Sequence, residues 1–222
     1  MESLCLEKTA ITDAGLAAMK SWTALRELFL NYTNVNGSGL DCIASLPKLE
    51  ALELEGTPLA DSGLAHINNM SSLTHLNLNR TAITDTGLAQ LKNLEKLEYA
   101  KLAFTSISDA GLEVVKRWRA LEYLNLDETR VNGAGLKVLG ELPHLTTLRL
   151  NNTPLNDQGL SAVASCKQLE TLHVKATQIT DEGLRHLEDC PRLLTLDLEG
   201  CNVSAEAIAR LQSKLPGLEI KH

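Results

Sequence analysis

Leucines recur along this chain at a fixed interval of 24 residues. In the stretch that starts at Leu73, "LTHLNLNRTAITDTGLAQLKNLEK", they fill the first, fourth and sixth places, and nearly every other stretch repeats this. A fixed period between 20 and 50 residues is typical of a solenoid, in which each repeat contacts only its neighbours. We therefore divide the chain into nine units, which start at residues 1, 25, 49, 73, 97, 121, 145, 169 and 193.

The two halves of each unit have different hydrophobic periods. The leucines at the fourth and sixth places alternate with polar residues, a pattern that predicts a half-buried strand. In the second half, Ile83, Leu88, Leu91 and Leu94 follow the three- and four-residue spacing of a helix with one apolar face. A single strand–turn–helix unit cannot bury its own apolar surface. We therefore expect the units to stack, with parallel strands on one side and helices on the other.

The helix of each unit is preceded by a recurring phrase, "TAITDAGL" from Thr9 and "TAITDTGL" from Thr81. Its Thr or Asp can cap the helix, and its Gly allows close packing against a neighbour. The capping interpretation is favoured over a ladder of carboxylates that binds cations, because the spacing of a calcium loop is absent. We predict neither a metal site nor a cofactor. The aspartates concerned are Asp13, Asp61, Asp85, Asp109, Asp157 and Asp181.

The consensus "LxxLxLxxTxITDxGLxxL" resembles the leucine-rich repeat, in a bacterial form with Thr where many relatives have Asn or Cys. It is most similar to the helix-backed type related to the cysteine-containing repeats of F-box proteins. The resemblance implies a right-handed α/β horseshoe, with a parallel sheet on the concave face and α-helices on the convex face. It covers the whole chain, so we expect one domain over residues 1–222. Residues 202–222 depart from the repeat and predict a closing helix and a final strand.

Composition narrows the classes of partner and compartment. The net charge of -7 and the pI near 5.4 argue against a general nucleic-acid or anionic-membrane binder. No apolar run is long enough to span a bilayer and no leader peptide opens the chain, so we expect a soluble protein. The odd count of five cysteines favours a reducing, cytoplasmic location. Cys166 and Cys190 share one place in consecutive units, where buried free thiols are favoured over a disulfide.

No phrase typical of a hydrolase, a zinc protease or a nucleotide-binding enzyme occurs in the sequence. We therefore predict a non-catalytic domain that binds another protein or a peptide. Two alternatives stay open. The chain could be the recognition part of a larger enzyme, such as a ubiquitin ligase or a kinase, or a scaffold without a natural ligand. The irregular variable places weigh against a consensus design.

Specificity is expected at the variable places, which are the second, third, fifth, seventh and eighth of each unit and flank the strand leucines. All five Phe and Tyr residues fall there, although a purely structural chain would bury them in the core. We interpret them as anchors of an interface, against the alternative of cross-strand stacking that only stiffens the sheet. The predicted contact residues are Tyr99, Tyr123, Phe104, Lys101, Arg149, Arg80, His75, Asn77, Asn125, Phe29 and Tyr32.

These variable places also carry the charge of the chain. They hold thirteen acidic and six basic residues in the nine units, a difference equal to the whole net charge of -7. Such a face suits a partner with a basic rim around apolar or acidic central groups.

Two features of the core depart from the repeat. Ala100 replaces a strand leucine and Trp118 replaces a smaller apolar residue in the same unit, which suggests an exchange of volume. The second feature is the first unit, where Met1 already occupies the first leucine place, so no polar cap precedes this unit. We expect Trp22 to cover the exposed apolar surface of the first unit. The uncovered edge suggests a fragment, an engineered chain or self-association through this edge.

Overall fold

The computed structural model describes residues 1–222 as a single open sheet of ten parallel strands in chain order. Every strand occupies the third to fifth places of its unit, and each residue pairs with the residue 24 positions later. The strands are β1 (Ser3–Cys5), β2 (Glu27–Phe29), β3 (Ala51–Glu53), β4 (His75–Asn77), β5 (Tyr99–Lys101), β6 (Tyr123–Asn125), β7 (Thr147–Arg149), β8 (Thr171–His173), β9 (Thr195–Asp197) and β10 (Glu219–Lys221).

The helices lie between the strands, as the second half of each unit predicts. They are α1 (Asp13–Leu16), α2 (Asp61–Ile67), α3 (Asp85–Leu88), α4 (Asp157–Val163), α5 (Asp181–Leu184) and α6 (Ala205–Lys214). They are shorter than the apolar spacing predicts. In the unit that starts at residue 73, for example, α3 ends at Leu88, before Leu91 and Leu94. The units that start at residues 25, 97 and 121 contain only 3₁₀-helix, at Leu40–Cys42, Asp109–Arg117 and Leu136–Glu141.

The core lies between the sheet and the helices. It is one continuous cluster of 59 buried residues, to which the leucines of the first, fourth and sixth places contribute along most of the chain. Both members of the predicted volume exchange belong to it, since Trp118 is 0% and Ala100 is 1% exposed. The indole Nε1 of Trp118 donates a hydrogen bond of 2.9 Å to the carbonyl of Leu91 in the preceding unit. A buried indole needs such an acceptor, and here the backbone supplies it.

A left-handed residue ends the strand segment of every unit, and the sequence pattern did not predict it. The eighth place has φ between +52° and +76° in all nine units, although only two of these residues are glycines. The next residue, usually Thr, closes the turn by donating its hydroxyl to the sixth-place carbonyl, as Thr81 does to Leu78 at 2.6 Å. The left-handed residues are Lys8, Tyr32, Gly56, Arg80, Phe104, Glu128, Asn152, Ala176 and Gly200.

The repeated aspartate joins neighbouring units. The capping interpretation is correct in kind, since Thr84 accepts from the N–H of Thr86 at the start of α3. The aspartate, however, reaches forward to the next unit. Asp85 accepts from the backbone N–H of Ser108 at 2.7 Å and from its hydroxyl at 2.6 Å. The carboxylates therefore bond to backbone and hydroxyl groups, and no cluster of potential metal ligands exists in the structure.

Gly37 and Gly133 replace this aspartate in two units, and both adopt left-handed conformations, at φ +101° and +116°. An added Cβ on Gly133 would lie 2.1 Å from the Cα of Gly159 in the next unit. Only glycine allows this approach of the two backbones. The preceding Asn36 and Asn132 each accept from the N–H two residues later, ahead of the 3₁₀-helices that begin at Leu40 and Leu136.

The two ends of the sheet differ in how well they are covered. At the first unit, Leu4 and Leu6 are only partly buried, Met1 is 72% exposed, and Trp22 packs partly against the core as expected. At the other end, the predicted closing helix and strand are α6 and β10. The edge next to Met1 is therefore the less protected end of the core.

Cys166 and Cys190 are buried free thiols, as the sequence favoured. Burial raises the pKa of Cys166 to about 12 and also raises that of Cys190. At neutral pH both therefore remain protonated. No helix of the protein has the length and apolar character needed to cross a bilayer.

Candidate functional site

The candidate site is the solvent-facing surface of the sheet, which we call the concave face and define by the second, third, fifth, seventh and eighth places of the units. The fourth-place residue of each strand points into the core, so the third- and fifth-place residues on either side of it point the other way. Their side chains are consequently aligned in columns across the sheet, with neighbouring members about 4.8 Å apart.

Three rings stack at the centre of this face. His75 on β4, Tyr99 on β5 and Tyr123 on β6 occupy the same column. The ring centroids of His75 and Tyr99 are 4.4 Å apart at an interplanar angle of 10°, and those of Tyr99 and Tyr123 are 6.1 Å apart at 28°. All three side chains are partly exposed. We call this group the ring stack.

The column becomes narrower on both sides of the ring stack. Ala51 precedes His75, and Thr147 follows Tyr123, so smaller side chains flank the three rings. The ring stack therefore projects from the sheet as a raised, partly apolar platform. Nδ1 of His75 lies 2.8 Å from the hydroxyl of Thr74, which orients the imidazole at one end of it.

A second group of predicted residues lies at the carboxyl-terminal ends of the strands. The Tyr32 hydroxyl donates to Glu55 at 2.6 Å, and Nε of Arg80 lies 3.6 Å from the same carboxylate oxygen. The Arg80 guanidinium covers the ring of Phe104, with Cζ 3.8 Å from the centroid, a cation–π contact. We call Tyr32, Arg80 and Phe104 the ridge. Tyr32 and Phe104 are 46% and 43% exposed, so the ridge presents aromatic surface to solvent.

The ridge residues occupy the left-handed eighth place that ends every unit's turn. Tyr32, Arg80 and Phe104 are left-handed residues, in a region that bulky side chains rarely adopt. The ring of Tyr32 lies against Gly56, where an added Cβ would be 2.5 Å from its ring carbons. The hydrogen bond to Glu55, followed by burial and the charge of Glu55, raises the pKa of the Tyr32 hydroxyl. The hydroxyl therefore remains a donor at neutral pH.

The predicted cations are present on the face but already have partners. Lys101 Nζ lies 3.6 Å from Glu53, two units away. Arg149 holds Asp127 through Nη2 at 2.8 Å and Nε at 2.9 Å. Their charges, like that of Arg80, are thus balanced within the chain, and they hold the carboxylates in place.

Two predicted asparagines have internal roles. Asn77 is 2% exposed, its amide donates to Glu53, and its oxygen accepts from the N–H of Asn79 at 3.0 Å. Asn125 accepts in the same way from the N–H of Asp127 at 2.9 Å. Asn77 was therefore wrong as a contact residue, because its side chain is buried.

Phe29 lies outside both aromatic groups. It is partly buried on β2, three strands from Tyr99, and takes part in no ring–ring contact. The spacing of 24 residues puts Tyr99 and Tyr123 in one column, whereas the stacking of His75 on Tyr99 was not predicted. Sequence spacing could not predict the ridge, because the left-handed turn that aligns Tyr32, Arg80 and Phe104 has no fixed residue type at the eighth place.

Comparisons with known proteins agree on the fold. The family model described as "Leucine Rich repeat" matches residues 69–92, 141–164 and 165–187. Internalin C2 from Listeria monocytogenes is 27% identical, with 91% of this chain and 80% of that chain covered and a TM-score of 0.73. A search of curated proteins finds no significant match. The expected relation to F-box repeats and a bacterial source stay predictions.

Two further solved structures contain partners. A chain of the octameric complex of Latrophilin 3, Unc5D and FLRT2, in which FLRT2 contributes leucine-rich repeats, is 18% identical over 100% of this chain and 83% of that chain, with a TM-score of 0.68. A chain of the plant peptide hormone receptor RGFR1 in complex with RGF2 is 16% identical over 99% of this chain and 34% of that chain, with a TM-score of 0.65. At these identities the likeness concerns the fold.

Proposed function

Because this chain is a leucine-rich-repeat protein, we propose that it is a non-catalytic interaction domain that binds a protein or peptide through its concave face. The observation that carries the proposal is the ring stack of His75, Tyr99 and Tyr123, partly exposed at the centre of the sheet. The similarity in fold to RGFR1 in complex with RGF2, and to the FLRT2 assembly, supports a protein or peptide as the kind of partner.

Energetics favour these rings as anchors. Tyr and Trp dominate the binding energy of protein interfaces, because they offer large contact areas and lose little rotamer freedom. Stacking between His75, Tyr99 and Tyr123 restrains the rings before a partner arrives, so less conformational entropy remains to be lost on binding. Cross-strand stacking of the three rings therefore pre-organises the surface for binding as well as stiffening the sheet.

The ridge extends this surface along the carboxyl-terminal ends of the strands. Tyr32 and Phe104 add exposed aromatic area, and Arg80 joins them through Glu55. We include the ridge in the proposed binding face.

The test compares partner capture by the wild-type chain, a Tyr99→Ala/Tyr123→Ala variant and a Thr171→Ala/Thr195→Ala variant. The threonines occupy the same column on β8 and β9, so they serve as a matched control. We expect the tyrosine variant to lose about 2 kcal/mol or more of binding free energy, mainly through a faster off-rate, while the control binds normally.

Thermal unfolding of the same three proteins separates binding from stability. The tyrosine side chains face away from the leucine core, so we expect the melting temperature of the tyrosine variant to stay close to that of wild type. A loss of stability as large as that of a core Leu→Ala change, with binding retained, would show that the ring stack is a structural brace. Turnover of any substrate by this chain alone would contradict the non-catalytic part of the proposal.

A further inference from the structure

We propose that the partner presents a basic segment to this face, and that its Lys or Arg side chains pair with Glu98 and Glu122 beside the ring stack. This inference rests on the proposed function and adds the chemistry of the partner and the side from which its charges approach. Glu98 and Glu122 precede β5 and β6, so they mark the amino-terminal ends of the two strands that carry Tyr99 and Tyr123.

Ion pairs within the chain neutralise one part of the concave face. Six of its thirteen carboxylates lie within 4.0 Å of a basic group, and all but one of these six come from the fifth and seventh places, at the ends of the strands or beyond them. Basic groups of the same face or of β10 supply the partners. The six are Glu50, Glu53, Glu55, Asp127, Asp197 and Glu199.

The remaining seven carboxylates of this face have no ion-pair partner, and four of them occupy the second place. Among the six Lys and Arg residues of the concave face, only Lys8 is also without an ion pair. The uncompensated negative charge is therefore shifted toward the amino-terminal ends of the strands. The seven are Glu2, Glu7, Glu27, Glu98, Glu122, Glu128 and Glu170.

Two of these carboxylates adjoin the ring stack. The Tyr99 hydroxyl lies 3.4 Å from Glu122 Oε2, and Glu98 is the residue before Tyr99. The charge of Glu122, followed by burial, the hydrogen bond to Glu122 and the charge of Glu98, raises the pKa of the Tyr99 hydroxyl. Both carboxylates thus act on the same ring.

The positions of Glu98 and Glu122 favour a cation as the group that binds between them. Glu98 and Glu122 precede adjacent strands whose backbones are about 4.8 Å apart, so two like charges lie at neighbouring positions and repel each other. A Lys or Arg between them would relieve this repulsion, and its aliphatic stem would pack on the edges of the Tyr99 and Tyr123 rings. An acidic segment would add to the repulsion, and a neutral one would leave both carboxylates without a counter-charge.

The experiment starts from a random peptide library displayed on phage and selected on the full chain at low salt. Selected peptides are then measured against a Glu98→Gln/Glu122→Gln variant and a Glu53→Gln/Glu199→Gln variant. Both variants remove two carboxylates from the same face, but those of the control pair already have cations. Competition with the Tyr99→Ala/Tyr123→Ala variant shows which peptides use the ring stack.

We expect the selected peptides to be enriched in Lys or Arg. Their affinity should fall about three- to ten-fold in the Glu98→Gln/Glu122→Gln variant and less than two-fold in the control, and the difference should shrink as salt is added. Peptides that need the tyrosines but lack enriched cations would overturn this inference and leave the proposed function standing. Peptides insensitive to the tyrosines, or no enriched binder at all, would contradict both.

Discussion

The first four units, residues 1–96, can be compared place by place with the next four, residues 97–192. At the helix starts the two blocks correspond: glycine replaces the aspartate in the second unit of each, at Gly37 and Gly133. The helices of the third and fourth units correspond too, since α2 and α4 both have seven residues and α3 and α5 both have four. The first units differ, because one contains α1 and the other only 3₁₀-helix. The framework thus repeats every four units as well as every one.

The concave faces of the two blocks do not correspond. The four third-place residues of the first block end with His75, and those of the second begin with Tyr99 and Tyr123; no residue of the first set is kept in the second. Helix-start residues contact the backbone of the next unit, so the same packing requires the same residue. Third-place side chains face solvent, so packing leaves them free to vary. The difference separates the residues that build the solenoid from those available for recognition.

The largest effect is expected where two backbones touch. Gly133→Ala would force a left-handed alanine and place its Cβ 2.1 Å from the Cα of Gly159. We expect a loss of about 3 kcal/mol or more in the free energy of unfolding, measured by chemical denaturation. Gly217→Ala is the control, because nothing lies within 4 Å of its added Cβ. Equal stability of the two variants would contradict the account of the framework.

Trp118→Leu tests a place where both blocks carry tryptophan but only the second buries it fully, since Trp118 is 0% exposed and the equivalent Trp22 is partly buried. We expect it to cost about 2 kcal/mol or more, through a cavity and an unpaired Leu91 carbonyl. Adding Ala100→Leu should recover the part due to the cavity, while the lost hydrogen bond remains. A double-mutant cycle by denaturation measures the coupling. Additive losses would rule out the exchange of volume.

Hydrogen exchange compares the first unit of the first block with the first two units of the second block. The strand β1 has one neighbour, and Leu4 and Leu6 are only partly buried. We expect amides in residues 2–20 to exchange at least about ten-fold faster than equivalent amides in residues 97–140. A dilute sample shown to be monomeric is required, since self-association would protect this edge. Uniform protection there would contradict the prediction.

The smallest effect concerns the last aspartate of the framework. Two hydrogen bonds from Ser204 lower the pKa of Asp181 below its ordinary value of 3.8. A lowered pKa means that the contribution to stability is present above that ordinary value and is lost as pH falls through the folded-state value. Asp181→Asn should therefore be less stable than wild type at pH 7, with the difference disappearing in acid. Asp189→Asn, which removes a carboxylate that accepts no hydrogen bond, is the control for the loss of one negative charge, and an Asp181→Asn variant as stable as this control at pH 7 would contradict the prediction.

The sequence by itself determined the repeat, the place of every strand and the column shared by Tyr99 and Tyr123. A fixed period makes each of these a local property, because leucine at the first, fourth and sixth places has the same environment in each unit. The closing helix and strand also followed from the sequence, since residues 202–222 lose the repeat but keep apolar spacing.

Only the tertiary structure decided which groups meet across units. The forward reach of Asp85, the burial of Asn77 and the pairing of Lys101 with Glu53 all join residues 23 or more positions apart. The sequence gives the number of charged residues on the face but not which of them form ion pairs, because ion pairing depends on side-chain direction and on the left-handed turn after each strand. For this reason the sequence predicted an acidic face, whereas the structure showed that Glu98 and Glu122 are among the carboxylates without a counter-charge.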